Sequence, residues 1–264
     1  AWGLRAARPW GCRGHASAPP FGDAGAAAAA ASVAEPRLPS EEELRAFGQR
    51  LQDGGQRAFR VPYLVVDALL PRQRLRFESG DGRLERLSAS GELGVFGLSP
   101  LTGLPLQRGV TASLARLPGE RWELVGRRHV RMLGREQDVS EDGMEEALVE
   151  AVLDDVQAGD VQAAEALPPL VEEWLKLVEH SKFERSEGQI RGILADLGPM
   201  PPAEAAGDLA LWVAALVNPL PALGVAFEIR PSALEARSVG ERVQVVRDGM
   251  EGSIGHVSGK QPLF

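Results

Sequence analysis

From Arg60 to Leu133 the chain shows short apolar runs punctuated by Gly and Pro, a pattern of strands rather than of long helices. Tyr63 to Leu70, Leu93 to Leu98, Gly109 to Leu117 and Arg121 to Leu133 read as four strands. In the last pair Val110, Ala112 and Leu114 occupy alternate positions, Pro118-Gly119-Glu120 supplies a turn, and Trp122, Leu124, Val130 and Met132 follow. That alternation predicts a hairpin with one buried face. With no long amphipathic helix between these runs, an antiparallel, partly closed sheet is expected.

After Gly134 the apolar spacing becomes helical. Met144, Ala147, Leu148, Ala151, Val152 and Val156 form one stripe, and Leu170, Val171, Trp174 and Val178 form a second behind Pro168-Pro169. Ile190, Ile193, Leu194 and Leu197 make a third, closed by Gly198 and Pro199, and Leu209, Trp212, Val213, Leu216 and Val217 a fourth, closed by Asn218-Pro219. A fifth runs from Val239 to Val257. The predicted fold is therefore α+β: a β-rich, pseudo-barrel-like subdomain over 57–138, then an α-helical bundle over 139–258 and a short tail at 259–264. Upstream, Ser40 and Glu43 form a capping box ahead of Leu44, Phe47 and Leu51, so a short helix is expected within 39–56.

Residues 1–38 carry Arg5, Arg8 and Arg13 before any acidic residue, Pro19-Pro20 and the alanine run from Ala26 to Ala31. That composition cannot build a core and is expected to be disordered. It reads as an organellar transit segment, plastid rather than mitochondrion, or equally as a low-complexity tail on a cytoplasmic protein. The first residue is not Met, as expected of a sequence that begins inside a longer reading frame.

Charge changes the picture in two ways. The total of 29 basic against 37 acidic residues gives −8, which excludes nucleic-acid binding driven by bulk positive charge. Residues 57–137 hold 14 Arg against 8 acidic residues and residues 138–264 hold 9 basic against 23 acidic, so two differently built halves meet near residue 138. The longest apolar stretch, Leu209 to Val217, is too short to span a bilayer, and a soluble protein is expected. Cys12 is the single cysteine, which excludes an intrachain disulfide framework and a cysteine-built zinc site.

The search for chemistry finds no catalytic constellation. Gly255 to Lys260 resembles a phosphate-binding loop but is one residue short between its glycines, and Gln261 stands where a hydroxyl should meet magnesium. None of Ser88, Ser90, Ser113, Ser253 and Ser258 lies in a G-x-S-x-G frame, and Lys176, Lys182 and Lys260 sit in polar surroundings unsuited to a lowered pKa. His15, His129, His180 and His256 are widely separated, with His129 expected on an exposed strand face opposite Val130 and His180 at a helix end. Asp154-Asp155 and Glu172-Glu173 read as solvated helix faces. No catalytic, cofactor or metal residue is assigned.

One resemblance is specific. Gly109-Val-Thr-Ala-Ser-Leu-Ala-Arg-Leu117 followed by Glu123-Leu-Val-Gly-Arg-Arg-His-Val-Arg-Met-Leu133 resembles the hairpin of the Lon protease N-terminal domain family. Leu69-Leu-Pro-Arg-Gln-Arg-Leu75 is similar to that family's leucine-Pro-Gly turn, and Leu93-Gly-Val-Phe-Gly-Leu98 to one of its strands. Asp196 to Pro201 and Trp212 to Gly224 resemble the helical half of stand-alone plant and algal members. The match covers about residues 59 to 258. The family's phenylalanine-Pro pair and its Glu-Pro-Arg-Tyr helix start are replaced here by Asp67-Ala68 and Glu78-Ser79-Gly80-Asp81.

The resemblance implies a substrate-recognition portion without the ATPase and Ser-Lys peptidase domains of full Lon enzymes, and so without cofactors or chemistry of its own. It implies a protein quality control role: partners that are unfolded or extended polypeptides, or a protease or ATPase assembly, with no nucleic acid and no membrane. The alternatives are the front of an ATP-dependent Lon-type serine protease and a ubiquitin-ligase substrate adaptor of cereblon type. Phe96, Leu98, Leu101, Leu104 and Trp122, on or beside the strands, are the candidate peptide contacts, since apolar side chains and strand edges suit extended segments; as large apolar residues they also read as core. Arg72, Arg74, Arg76 and Arg83 lie close together in sequence and read either as a basic cluster that steers acidic partners or, equally, as ordinary surface.

Overall fold

Strand β5 (Arg121–Gly134) organises the sheet, because its 14 residues are long enough to serve three neighbours. Its first half pairs with β2 (Arg74–Glu78), its second half with β6 (Glu146–Ala151), and β4 (Arg108–Arg116) runs antiparallel along nearly all of it. β4 pairs in turn with β3 (Leu93–Phe96), β3 runs parallel to β1 (Phe59–Val65), and β1 pairs with β6. The order β5-β4-β3-β1-β6 thus returns to β5 and closes a five-stranded ring, with β2 outside it on the first half of β5. This computed structural model describes residues 58–134, 145–181, 183–260 and 262. The expected helix within 39–56, the segment 1–38 with Cys12 and His15, and Met144 lie outside them.

Alternate residues of the ring face two different cores. Val61, Phe96, Val130, Ala147 and Val149 come from four ring strands and meet one another, which places them inside the ring. Phe96 fits there because two neighbours lack side chains: a Cβ on Gly94 would stand 2.9 Å from its ring and one on Gly109 2.7 Å. The outward face of the same strands, with Leu93, Val95, Val110, Ala112, Leu114, Trp122 and Leu124, joins the helices in one continuous apolar core.

Seven α-helices are present among the described residues, besides a short 3-10 turn at Ala203–Ala205: α1 (Arg83–Ala89), α2 (Ala158–Ala164), α3 (Leu167–Ser181), α4 (Gln189–Leu197), α5 (Ala206–Val217), α6 (Arg230–Glu235) and α7 (Val239–Val257). α3, α4, α5 and α7 are the second to fifth stripes of the sequence. In α5 every residue but Asp208 is buried, so it is the central helix of the bundle. α7 starts at Ser238, whose hydroxyl accepts the Glu241 N–H. No helix among the described residues is long and apolar enough to cross a membrane.

The α+β expectation therefore holds, with three corrections of detail. The first helical stripe is not a helix: residues 146–151 are β6, in the sheet. Ala147 and Val149 alternate into the ring while backbone bonds run to β1 on one side and β5 on the other, and these two ladders outweigh the helix propensity of an Ala- and Glu-rich segment. The first strand starts earlier and ends at Val65, so Leu69 and Leu70 are buried from a loop. Finally α1 forms although the family's helix start is missing. Asp81 takes over, accepting the Arg83 N–H at 3.0 Å, and its hydrogen bonds and ion pair with Arg83 hold its carboxyl below the usual carboxylate range.

Candidate polypeptide-docking site

The connection from β3 to β4 carries three exposed leucines on a well-bonded frame. Ser99-Pro100-Leu101-Thr102-Gly103 folds back on itself: the Gly103 N–H donates to the Ser99 carbonyl at 2.9 Å and the Ser99 N–H to the Leu104 carbonyl at 2.8 Å. Ser99 Oγ accepts from Thr102 N–H and Thr102 Oγ1 from Leu104 N–H, both at 3.3 Å. Gly103 closes the turn at φ +66°, a value that suits glycine. A bridge between Leu98 and Pro105 and a 2.8 Å bond from Leu106 N–H to the Gly97 carbonyl fix the base, with Leu106 buried.

The N–H groups of Ser99, Thr102, Gly103 and Leu104 are thus bonded within the tip while its leucine side chains are not covered. Leu98 is 50% exposed, Leu101 94% and Leu104 56%. A cluster of large apolar side chains held outward on a bonded frame is the kind of surface that gains by covering.

The other two candidate contacts are removed from the surface. Phe96 is fully buried inside the ring, with the edge of Tyr63 against it at 6.1 Å between ring centres. Trp122 is buried in the main core and its Nε1–H donates to the Ser79 carbonyl at 3.1 Å. Closure of the sheet covers Phe96 and packing in the main core covers Trp122, and no local pattern reveals either. The basic cluster is likewise consumed internally. Arg74 and Arg76 both hold Glu123, at 2.9 and 2.7 Å, and Arg83 holds Asp81. Burial pushes the Glu123 carboxyl up, but the Arg76 and Arg74 guanidinium groups outweigh it and keep it below its ordinary value.

A second set of polar contacts lies at the junction between sheet and helices, where the sequence had placed Arg72 in a basic cluster and had not singled out Gln73. Arg72 stands where the resembling turn has Gly and has φ +68°. Its Nη1 donates to the Leu197 and Pro199 carbonyls at 3.2 Å each, capping the end of α4. Buried Gln73 accepts from the Leu70 N–H and donates to the Ala215 and Asn218 carbonyls at the end of α5. The signal for Arg72 was available: a non-glycine residue at a glycine position of a turn asks for a compensating contact.

His129 lies opposite Val130, as expected, yet that face is covered by α7 and not by water. Only 8% of His129 is exposed. Arg242 of α7 donates from Nη2 to its Nδ1 at 3.5 Å, so Nδ1 is the acceptor of a neutral ring, and Nε2 makes no hydrogen bond. Arg242 is itself buried, paired with Asp154 at 2.7 Å and bonded to the Ala233 carbonyl at 3.2 Å. Burial, with Arg242 and Arg108 adding to it, pushes His129 down from 6.5 to about 4, against the pull of Asp154 and the Leu234 carbonyl. Asp154 is thus a junction residue; a Cβ on Gly207 of α5 would stand 1.8 Å from its Oδ2.

Elsewhere the chemistry stays dispersed. Gly255 to Lys260 ends α7, where the helix presents carbonyls rather than the N–H groups a phosphate needs, and Gly259 turns away at φ +71°. Lys176 and Lys260 are exposed, and His180 Nδ1 bonds the Lys176 carbonyl at 2.6 Å in the last turn of α3. Lys182 lies outside the described residues. The two best-formed cavities have about 20 Å³ each, room for roughly one water. Among the described residues no three His, Cys, Asp or Glu side chains converge to hold a metal ion.

No family model and no curated protein matches the chain. Among solved structures it is similar to the N-terminal domain of a Lon protease from the Mycobacterium avium complex, at 17% identity, 73% of this chain, 98% of that one and a TM-score of 0.49. It is also similar to a Lon N-terminal domain protein from Xanthomonas campestris, at 15% identity, 72% of this chain, 98% of that one and a TM-score of 0.42. Both structures carry the name of the family that residues 59 to 258 resemble in sequence.

Proposed function

We propose that the chain is a non-catalytic polypeptide-recognition module of Lon N-terminal type that engages extended, apolar segments of other proteins through Leu98, Leu101 and Leu104. The observation that carries this is the internally hydrogen-bonded tip with three leucines exposed to water. The hairpin motif of Gly109 to Leu133 and the leucine-Pro turn at Leu70-Pro71 support the family reading. An adaptor role, handing clients to a protease or ATPase assembly in an organelle, follows from the same reading. Neither ATP nor peptide-bond hydrolysis is expected of the chain.

The test compares the full chain with a variant carrying Leu98→Ser, Leu101→Ser and Leu104→Ser. Fluorescence anisotropy with a labelled, permanently unfolded reporter protein reads binding. The expected result is at least about a tenfold weaker complex with an unchanged melting temperature, because none of the three side chains is in a core. Absent binding by the parent chain, or equal binding by both, overturns the proposal.

A further inference from the structure

Strand β2 has an edge that no strand among the described residues covers. Its hydrogen-bond phase can be read from both ends. The Gly126 N–H donates to the Gln73 carbonyl and the Ser79 N–H to the Glu120 carbonyl, both at 2.9 Å. The Gln73 carbonyl and the backbone groups of residues 75, 77 and 79 are therefore directed to β5, and those of Arg74, Arg76 and Glu78 away from the sheet. The side chains divide by the same alternation. Arg74, Arg76 and Glu78 share the face of Glu123, while Leu75 and Phe77 lie on the core face and remain partly exposed.

The sequence Arg74-Leu-Arg-Phe-Glu78 is close to self-complementary when laid antiparallel on itself about Arg76. Arg74 of one copy then faces Glu78 of the other, twice, and Leu75 faces Phe77, twice. All three outward-facing residues fall at hydrogen-bonded positions, giving six inter-chain backbone bonds. Charge agrees with this register. Glu78 is exposed and has no ion-pair partner among the described residues, while Arg74 pairs with Glu123 through Nη1 and stands 2.8 Å from Asp196 at Nε. The one like-charge meeting, Arg76 on Arg76 at the two-fold axis, is offset because each guanidinium already holds its own Glu123 at 2.7 Å.

We propose that β2 pairs antiparallel with β2 of a second copy, joining two sheets edge to edge in a two-fold dimer. A five-residue seam places the dimer among weak interfaces. Sedimentation of the full 264-residue chain over a concentration series is expected to show a reversible monomer–dimer equilibrium.

Arg76→Pro removes one outward N–H without touching the β5 ladder, a position where an edge strand tolerates proline. It is expected to weaken association by at least about tenfold while far-UV circular dichroism stays close to that of the parent, and melting falls only by what the lost Arg76–Glu123 ion pair contributes. Glu78→Arg, which sets like charges against Arg74 at both ends of the seam, is expected to do the same without any backbone change. A parent chain that stays monomeric throughout, a dimer that both variants leave intact, or an extended peptide of another protein seated on β2 of a monomeric chain would each overturn the proposal.

Discussion

At the scale of single residues, Arg72 and His129 show how contacts far away in sequence decide what a position tolerates. A non-glycine residue at φ +68° carries about 1 kcal/mol of backbone strain. Arg72 keeps that conformation while its guanidinium caps the carbonyls of Leu197 and Pro199. Arg72→Ala retains the strain and loses both bonds, so a loss of about 1 to 3 kcal/mol is expected in urea titrations. Arg72→Gly loses the same bonds but relieves the strain, and is expected to be the milder change by about 1 kcal/mol. Equal losses would show that the left-handed backbone is not strained. His129 predicts a pH dependence. Its folded pKa of about 4 lies below the ordinary 6.5, so between these values the unfolded chain binds a proton that the folded chain refuses. Stability from this group is full above about pH 6.5, falls as pH drops through the window and levels off below about pH 4, a change of about 3 kcal/mol. Denaturant titrations of the parent and His129→Gln should differ in slope across that window, and parallel curves would contradict the burial of a neutral imidazole.

At the scale of elements, most local patterns are legible in the sequence, and what depends on distant partners is not. α3, α4, α5 and α7 announce themselves because each carries an apolar stripe at helical period between its own start and stop residues. β3, β4 and β5 do so through alternation bounded by Gly and Pro. β6 fits both periods: Leu148, Val152 and Val156 are spaced as in a helix, and Ala147, Val149 and Ala151 as in a strand. Only the vacant ladders of β1 and β5 settle it. β2 escaped because Arg74 and Arg76 looked like a surface cluster, although Leu75 and Phe77 alternate with them. The candidate site divides on the same line. Leu98, Leu101 and Leu104 sit among Ser, Pro, Thr and Gly and are legible as a displayed loop, whereas the burial of Phe96 and Trp122 follows from ring closure and core packing. For His129 the alternation correctly gave the face and said nothing of α7 lying over it.

At the scale of the whole molecule, the sheet and the bundle are chemically unlike but share one core. The main apolar cluster runs without a break from Leu93, Val110 and Trp122 of the strands to Trp174, Leu209 and Met250 of the helices. Residues Gln56–Phe264 accordingly form a single compact unit. The polar bonds across the junction act in the same direction. Arg108 reaches the Ala236 carbonyl and Glu235, Arg242 reaches His129 and Asp154, and Gln73 ties the start of β2 to the last turn of α5. Such a molecule should lose both halves together. Gln73 offers the sharpest test, because its single buried amide serves three backbone groups from two parts of the fold. Gln73→Ala leaves the Leu70 N–H and the Ala215 and Asn218 carbonyls without this partner, and a loss of about 2 to 4 kcal/mol is expected. If the two halves are one cooperative unit, the variant's far-UV dichroism, dominated by the helices, and its hydrogen exchange in β4 and β5 should shift to lower denaturant by the same amount. Separate midpoints for strands and helices would mean that the shared apolar core, and not the amide, is too weak to couple them.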